Sequence, residues 1–65
     1  MDLMLRRDDD GFHVVSGHMR LKAALSLTDE VKVTVPGLGE VLIVKLPDDR
    51  LVATQDMQTL ALFGL

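Results

Sequence analysis

Residues 16–20 contain the side chains of this chain whose types and spacing are best suited to chemistry. Gly17 lets a ligand approach the backbone closely, and the first amides of a helix that starts there point hydrogen-bond donors toward an anion. Arg20 can present a bidentate fork to a phosphate, and His18 can donate a hydrogen bond or act as a general acid or base. Together with the hydroxyl of Ser16, these residues predict a phosphate-binding site.

Each of these residues also has a purely structural interpretation. Gly17 can end a strand, and Ser16 can cap the following helix by accepting an amide hydrogen bond. Arg20 can be a solvated helix charge, and His18 can be an ordinary polar residue of a first turn. The phosphate hypothesis therefore depends on the four residues occurring together at one junction.

The elements that position this junction follow from the sequence pattern. Residues 3–5 and 12–15 are predicted as two short strands joined by an Asp-Gly turn, in which Gly11 supplies a positive φ. From residue 18 to residue 27 the apolar spacing becomes helical. Ser16 is the predicted N-cap of this helix, and its apolar stripe consists of Leu21, Ala24 and Leu25.

The second half of the chain predicts three more strands. Val31, Val33 and Val35 alternate with polar residues, which is the period of a half-buried strand. Residues 40–46 include four consecutive apolar side chains, a pattern typical of a central strand covered on both faces. Residues 51–54 then complete a three-strand meander, with turns at 36–39 and 47–50.

A short C-terminal helix is predicted after the meander. Asp56 stands where an N-cap would be, and apolar residues follow at helical offsets, namely Met57, Leu60, Ala61 and Phe63. The resulting fold class is α+β, with a small antiparallel hairpin and a three-strand meander packed on one central helix. Residues 1–65 are expected to form a single domain.

The order of strand, Asp-Gly turn, strand and Ala-rich helix, together with Gly17-His18-Met19-Arg20, resembles the ParB/sulfiredoxin superfamily. The resemblance covers about 26 of the 65 residues, from Asp2 to Leu27. Because the chain starts at the hairpin, it resembles a minimal or N-terminally truncated ParB-like nuclease domain. The resemblance implies nucleotide binding at Ser16, Gly17, His18 and Arg20, in a DNA-partition, plasmid or phage context. The sulfiredoxin cysteine is absent, which excludes that reductase chemistry.

Composition limits the other function classes. The chain has no cysteine, so it has neither a disulfide framework nor a thiolate metal site. Its formal net charge is −3, which opposes non-specific attraction to nucleic-acid phosphates. A local basic patch would provide a route to nucleic acid, and its candidate members are Arg6, Arg7 and Lys22, beside Arg20.

No metal site and no catalytic residue are assigned from the sequence. Three adjacent acids, Asp8, Asp9 and Asp10, cannot all face one point in a strand turn, so a solvated turn is preferred to a divalent-ion site. His13 and His18 lie on different predicted elements and lack a third zinc ligand. Whether the chain is an enzyme is left open, because a ParB-like nuclease would need a metal or a general base near His18.

The expected cofactor is a nucleotide with magnesium, and the expected partner is a nucleotide or a DNA phosphate. The alternative function is a non-catalytic module that uses its apolar helix, an exposed strand edge or the apolar residues 60–65 to form a homodimer or bind another protein. No apolar run is long enough to span a membrane, so a cytoplasmic location is expected.

Overall fold

The computed structural model describes residues 3–65; Met1 and Asp2, the second of which begins the segment with the predicted resemblance, lie outside the described residues. One α-helix and six β-strands occur in this part of the chain. In chain order they are β1 (Met4–Asp8), β2 (Gly11–Ser16), α1 (His18–Leu27), β3 (Glu30–Val35), β4 (Gly39–Lys45), β5 (Leu51–Gln55) and β6 (Gln58–Phe63).

The predicted α+β arrangement around a central helix is wrong. Strands account for 56% of the structure and the helix for 16%. The six strands form one sheet in the order β1-β2-β6-β5-β4-β3, which curls into a half-barrel. The hairpin and the meander are therefore parts of one sheet, because β6 pairs with β2 on one side and with β5 on the other.

The predicted C-terminal helix is the strand β6. Asp56 and Met57 have φ values of 52° and 66°, so both adopt the left-handed conformation of a two-residue hairpin turn. The turn closes with Gln55 opposite Gln58, and this reverses the chain instead of starting a helix. Leu60 and Leu62 then alternate inward with period two, although the same apolar residues also fit helical offsets.

The pairing of β2 with β6, here called the seam, is the one parallel contact in the described sheet. It places Phe12 beside Leu62 and His13 beside Phe63. Gly11, at φ 144°, permits the close approach, because a Cβ at this position would lie 2.4 Å from the carbonyl oxygen of Ala61.

Gly11 has the positive φ that was expected of it, but the predicted Asp-Gly turn is wrong, because the turn residues are Asp9 and Asp10 and Gly11 is the first residue of β2, opposite Asp8.

The core lies between the inner face of the curled sheet and α1. The helix buries Leu21 and Leu25, with Ala24 partly buried, so the predicted apolar stripe is confirmed. Alternate residues of the strands supply the rest of the core. They are Leu5, Phe12, Val14, Val31, Val33, Val35, Val41, Ile43, Ala53 and Leu62, and Leu3 joins them from just before β1.

The predicted strands of the meander are confirmed as β3, β4 and β5. Their first turn is set by Pro36 and by Gly37 at φ 84°, with the Leu38 amide donating to the Val35 carbonyl oxygen at 3.0 Å.

The outer face of the sheet, which is the side away from α1, is not covered by any described element. β4 was predicted to be covered on both faces, but only Val41 and Ile43 are fully buried, while Leu42 and Val44 are half-buried on the outer face. The expected double burial is therefore wrong. The apolar side chains of this outer face are Met4, Val15, Leu42, Val44, Val52, Ala61 and Phe63.

Within residues 3–65, no helix is both long enough and apolar enough to cross a lipid bilayer.

Candidate functional site

The junction between β2 and α1 contains the four residues that the sequence predicts as a phosphate site. β2 ends at Ser16 and α1 begins at His18. Gly17 is the N-cap, with φ 91° and ψ 18°, and no hydrogen bond from a described side chain caps the helix. The prediction that Ser16 is the N-cap is wrong, because the left-handed conformation of Gly17 turns the chain and leaves Ser16 in the strand.

The first turn of α1 opens onto a shallow surface depression of about 400 Å³, lined by residues 15–20. The first helical hydrogen bond runs from the Leu21 amide to the Gly17 carbonyl oxygen, at 3.0 Å. The amides of His18 and Met19 therefore lie ahead of this first hydrogen bond of the helix. The first turn also lacks an acidic residue that would repel an anion.

The structure separates the residues of the predicted basic patch. Arg6 lies on the outer face of β1, 3.4 Å from an oxygen of Asp8. Arg7 is the next residue of the same strand and therefore points to the inner side. Lys22 lines a different depression of about 330 Å³, together with Leu25, Ser26, Lys45, Asp49, Leu51 and Leu65.

Arg7 belongs to a polar network on the inner side of the sheet. Its guanidinium donates to the Gln55 side-chain oxygen at 3.3 Å and to that of Gln58. Gln55 is buried and donates its amide to the carbonyl oxygen of Leu38. The guanidinium also lies 5.5 Å from the centroid of the Phe12 ring. These contacts, here called the Arg7–Gln55 network, link β1 to the β5–β6 hairpin and to the β3–β4 turn.

A second polar cluster forms at the β1–β2 turn. His13 Nε2 lies 3.2 Å from Asp8 Oδ1 and 3.1 Å from Asp10 Oδ1. As expected, the three acids do not all converge, but two of them do, and potential metal-ligand atoms of Asp8, Asp10 and His13 lie within 4.8 Å of one another. His18 is not part of this group and lies at the start of α1.

The cluster has an electrostatic consequence and a packing consequence. A hydrogen bond with the Asp8 side chain, and then one with His13, lowers the pKa of Asp10 below its usual value. The His13 ring also stacks on Phe63, with centroids 5.1 Å apart and planes at 30°. The turn is thereby attached to the seam.

Sequence reasoning missed the Arg7–Gln55 network and the convergence of Asp8 and Asp10 with His13. For the second cluster a signal existed, because period two places Asp8 and His13 on the same face of a hairpin. No such signal predicts the Arg7–Gln55 network, since Gln55 and Leu38 are brought together only when the whole sheet has formed.

Comparisons with protein-family models, with curated proteins and with solved structures find no match for this chain.

Proposed function

We propose that this chain binds a phosphate-bearing ligand at the junction between β2 and α1. The observation that supports the proposal is the depression at residues 15–20, with the N-terminus of α1 at its base. A helix N-terminus favours negative charge through its amide donors and its dipole. This is the one place among the described residues where the start of a helix, a left-handed glycine and a surface concavity coincide.

The side chains around the depression have distinct roles in this proposal. The amides of His18 and Met19 contact the phosphate oxygens, and Arg20 adds a charge-assisted contact. Ser16 offers a hydroxyl from the end of β2. Gly17 keeps side-chain atoms away from the ligand, since a residue with a Cβ would be strained at φ 91°.

A nucleotide suits this site better than an extended nucleic acid. The net charge of −3 opposes long-range attraction to a polyanion, whereas a single phosphate group needs only local donors. Magnesium would accompany the nucleotide on its outer phosphates rather than bind to the chain alone.

The test is an amide NMR titration of the chain with CTP, ATP and inorganic phosphate, each with and without magnesium. The amide signals of His18, Met19 and Arg20 should shift, while those of the distant turn at Asp56 and Met57 stay in place. Shifts spread evenly over the surface, or no shift at millimolar ligand, would overturn the proposal.

A matched pair of variants sharpens the test. Arg20→Ala should weaken binding by roughly tenfold or more, because it removes a charge-assisted hydrogen bond. Arg50→Ala removes an equal charge from an exposed turn, where Arg50 pairs with Asp48, and should leave binding nearly unchanged. Equal weakening by both would indicate a general charge effect rather than a site at residues 16–20.

A second candidate function is a non-catalytic module that binds another protein through the outer face. The observation that favours it is the row of uncovered apolar residues across neighbouring strands, in which Val44 pairs with Val52 and Val52 with Ala61. Phe63 continues this row and is 42% exposed.

The outer face can be tested by selecting binders from a random peptide library. Val52→Lys places a charge in the middle of the apolar row and should abolish binding of the selected peptides. Thr54→Lys is the matched control, because Thr54 lies two residues along the same strand at a polar position, where its hydroxyl is 2.9 Å from that of Thr59. Peptides that bind both variants equally would contradict this candidate.

A further inference from the structure

The two edges of the sheet differ in how well they are protected from pairing with another strand. At the β1 edge the register is broken by an irregularity between Met4 and Leu5, and Arg7 points a charge inward. Bulges and inward charges are two of the devices that prevent edge pairing, and charged side chains and proline on the edge are others. β3 has neither a bulge nor an inward charge, because its six residues pair with β4 in unbroken register and its inward residues are valines, so its protection is limited to exposed charges such as Lys32 and to Pro36 at its end.

The hydrogen bonds of β3 show which of its backbone groups face the free edge. The Lys45 amide donates to the Asp29 carbonyl oxygen at 2.8 Å, so the odd-numbered residues of β3 point their amides and carbonyls toward β4. The even-numbered residues Glu30, Lys32 and Thr34 therefore point theirs away from the sheet. Their side chains lie on the outer face of the sheet and are exposed.

The free segment of this edge is limited at both ends. The Thr28 hydroxyl lies 3.3 Å from the Glu30 carbonyl oxygen and 3.4 Å from the Glu30 amide nitrogen, so both groups of Glu30 already have a partner. At the other end, Pro36 has no amide hydrogen to donate. The groups that remain for an incoming strand belong to Lys32 and Thr34.

We propose that the free edge of β3 pairs antiparallel with the same edge of a second copy of this chain, with Val33 opposite Val33 on the two-fold axis. In this register Lys32 of one copy faces Thr34 of the other, twice, and the four free amides and four free carbonyls are used in self-complementary pairs. Glu30 faces Pro36 of the other copy, so a residue whose amide and carbonyl already have a partner meets a residue that has no amide hydrogen.

Side-chain charges favour this register over its neighbour. Shifting the pairing by two positions would place Lys32 directly opposite Lys32, and like charges opposite each other destabilise a strand pair. In the proposed register Lys32 lies beside a hydroxyl and keeps its contact with Glu40, whose carboxylate oxygen is 3.3 Å away.

The register also gives an exposed apolar residue a place at the interface. Leu27 ends α1 three residues before β3 and is 89% exposed. With Val31 opposite Val35 of the second copy, the residues before β3 run alongside the partner's turn at 36–38. Residues 28–30 lie opposite residues 36–38 in this register, so Leu27 immediately precedes the contact, and burying it against the second copy is favourable.

The proposal does not depend on phosphate binding, since it uses only β3 and the residues beside it. Sedimentation equilibrium over a roughly hundredfold range of concentration tests it, because a dimer is populated by mass action. Thr34→Pro removes only an amide that faces the free edge, and an edge strand tolerates proline there. We expect the wild type to dimerise, Thr34→Pro to be monomeric with an unchanged circular dichroism spectrum, and Thr34→Val to dimerise like the wild type.

A monomeric wild type, or a Thr34→Pro variant that still dimerises, would overturn the proposal. Dimerisation lost in Val52→Lys but kept in Thr34→Pro would assign the contact to the outer face instead.

Disulfide trapping tests the register even where Thr34→Pro fails to fold. The chain has no cysteine of its own. A double variant, Lys32→Cys with Thr34→Cys, should form a covalent dimer under mild oxidation, because the two positions face each other across the axis. Lys32→Cys alone should crosslink far more slowly. Fast crosslinking of that single variant would indicate the shifted register and contradict the proposed one.

Discussion

The antiparallel hairpins of this sheet and the parallel seam that joins them are built in different ways. The β3–β4 hairpin has six register pairs and the β5–β6 hairpin has four, and each is closed by a short turn. The seam has two pairs, between residues about 50 positions apart in the chain. Hairpins form from neighbouring residues. At the seam, distant strands must come together before any contact offsets the loss of chain entropy.

The difference shows where the fold is most vulnerable. Contacts that only the closed sheet can make accumulate beside the seam, including the close approach of Gly11 to Ala61 and the stacking of His13 on Phe63. The Arg7–Gln55 network adds a polar link between the same two parts. Changes at the seam should therefore cost more stability than equivalent changes in a hairpin.

Gly11→Ala should have the largest effect. Its Cβ would lie 2.4 Å from the Ala61 carbonyl oxygen, and φ of 144° is unfavourable for alanine. Strain and overpacking together should cost about 3 kcal/mol or more. A domain of this length is expected to have only about 3–10 kcal/mol of stability, so the variant should be partly unfolded at 25 °C in urea titrations monitored by circular dichroism.

Gly37→Ala is the matched control in a hairpin turn. Gly37 also has a positive φ, of 84°, but no atom lies within 4 Å of the position that its Cβ would occupy. It should lose only about 1 kcal/mol, from backbone strain alone. Equal losses of stability in the two variants would show that the close approach of Ala61 at the seam adds nothing to the cost of replacing Gly11.

Gln55→Ala should have the next largest effect. The substitution leaves the Leu38 carbonyl oxygen and the Arg7 guanidinium without their shared partner, which should cost about 1–3 kcal/mol. Gln58→Ala is the control, because exposed Gln58 contacts the same guanidinium but no backbone group, and it should cost less than about 1 kcal/mol. Thermal unfolding measures the loss of stability in each variant. The ratio of the two losses shows how much more the buried contacts of the network contribute than the exposed one.

Local pattern was sufficient to predict the elements that form locally. Leu21 and Leu25 mark the buried side of α1 and the alternating valines mark β3, both as expected from the sequence. The first turn is displaced by one residue, because Asp9 and Asp10 form it and Gly11 opens β2.

The predicted C-terminal helix is wrong because the apolar residues of this segment fit helical offsets and also strand alternation, with Leu60 and Leu62 on one face and Ala61 and Phe63 on the other. The pairing with β2 decides in favour of a strand, and no local pattern contains that information.

The candidate site shows the same division. The sequence predicts a strand-to-helix junction at residues 16–20, because the apolar spacing changes there from the period of a strand to that of a helix. The sequence does not predict which residue caps the helix. The choice between Ser16 and Gly17 depends on the angle at which α1 must leave β2 to cover the core. The free edge of β3 was also beyond sequence reasoning, since strand order depends on the seam.

Met57→Gly should stabilise the protein by about 1 kcal/mol. Met57 has φ 66° and is 99% exposed, so its side chain makes no contact that offsets the unfavourable backbone conformation. Asp56→Gly, at the other turn position, should gain less, because aspartate tolerates the left-handed region. The gain should appear as slower exchange of β5 and β6 amides. A loss of stability would mean that the turn is held by contacts of Met57 after all.

The smallest effect concerns the pKa of Asp10. Hydrogen bonds with Asp8 and with His13 lower this pKa in the folded chain, so the carboxylate contributes stability above its unfolded pKa, and that contribution is lost as pH falls through the lower folded value. His13→Gln should move the pKa of Asp10 part of the way back, since the contact with Asp8 remains. The pKa of Asp48, lowered by Arg50 within a separate turn, should not move, and carbon-detected NMR of the carboxyl groups reports both in one titration. A pKa of Asp10 unchanged in the variant would show that the contact with His13 does not stabilise the carboxylate.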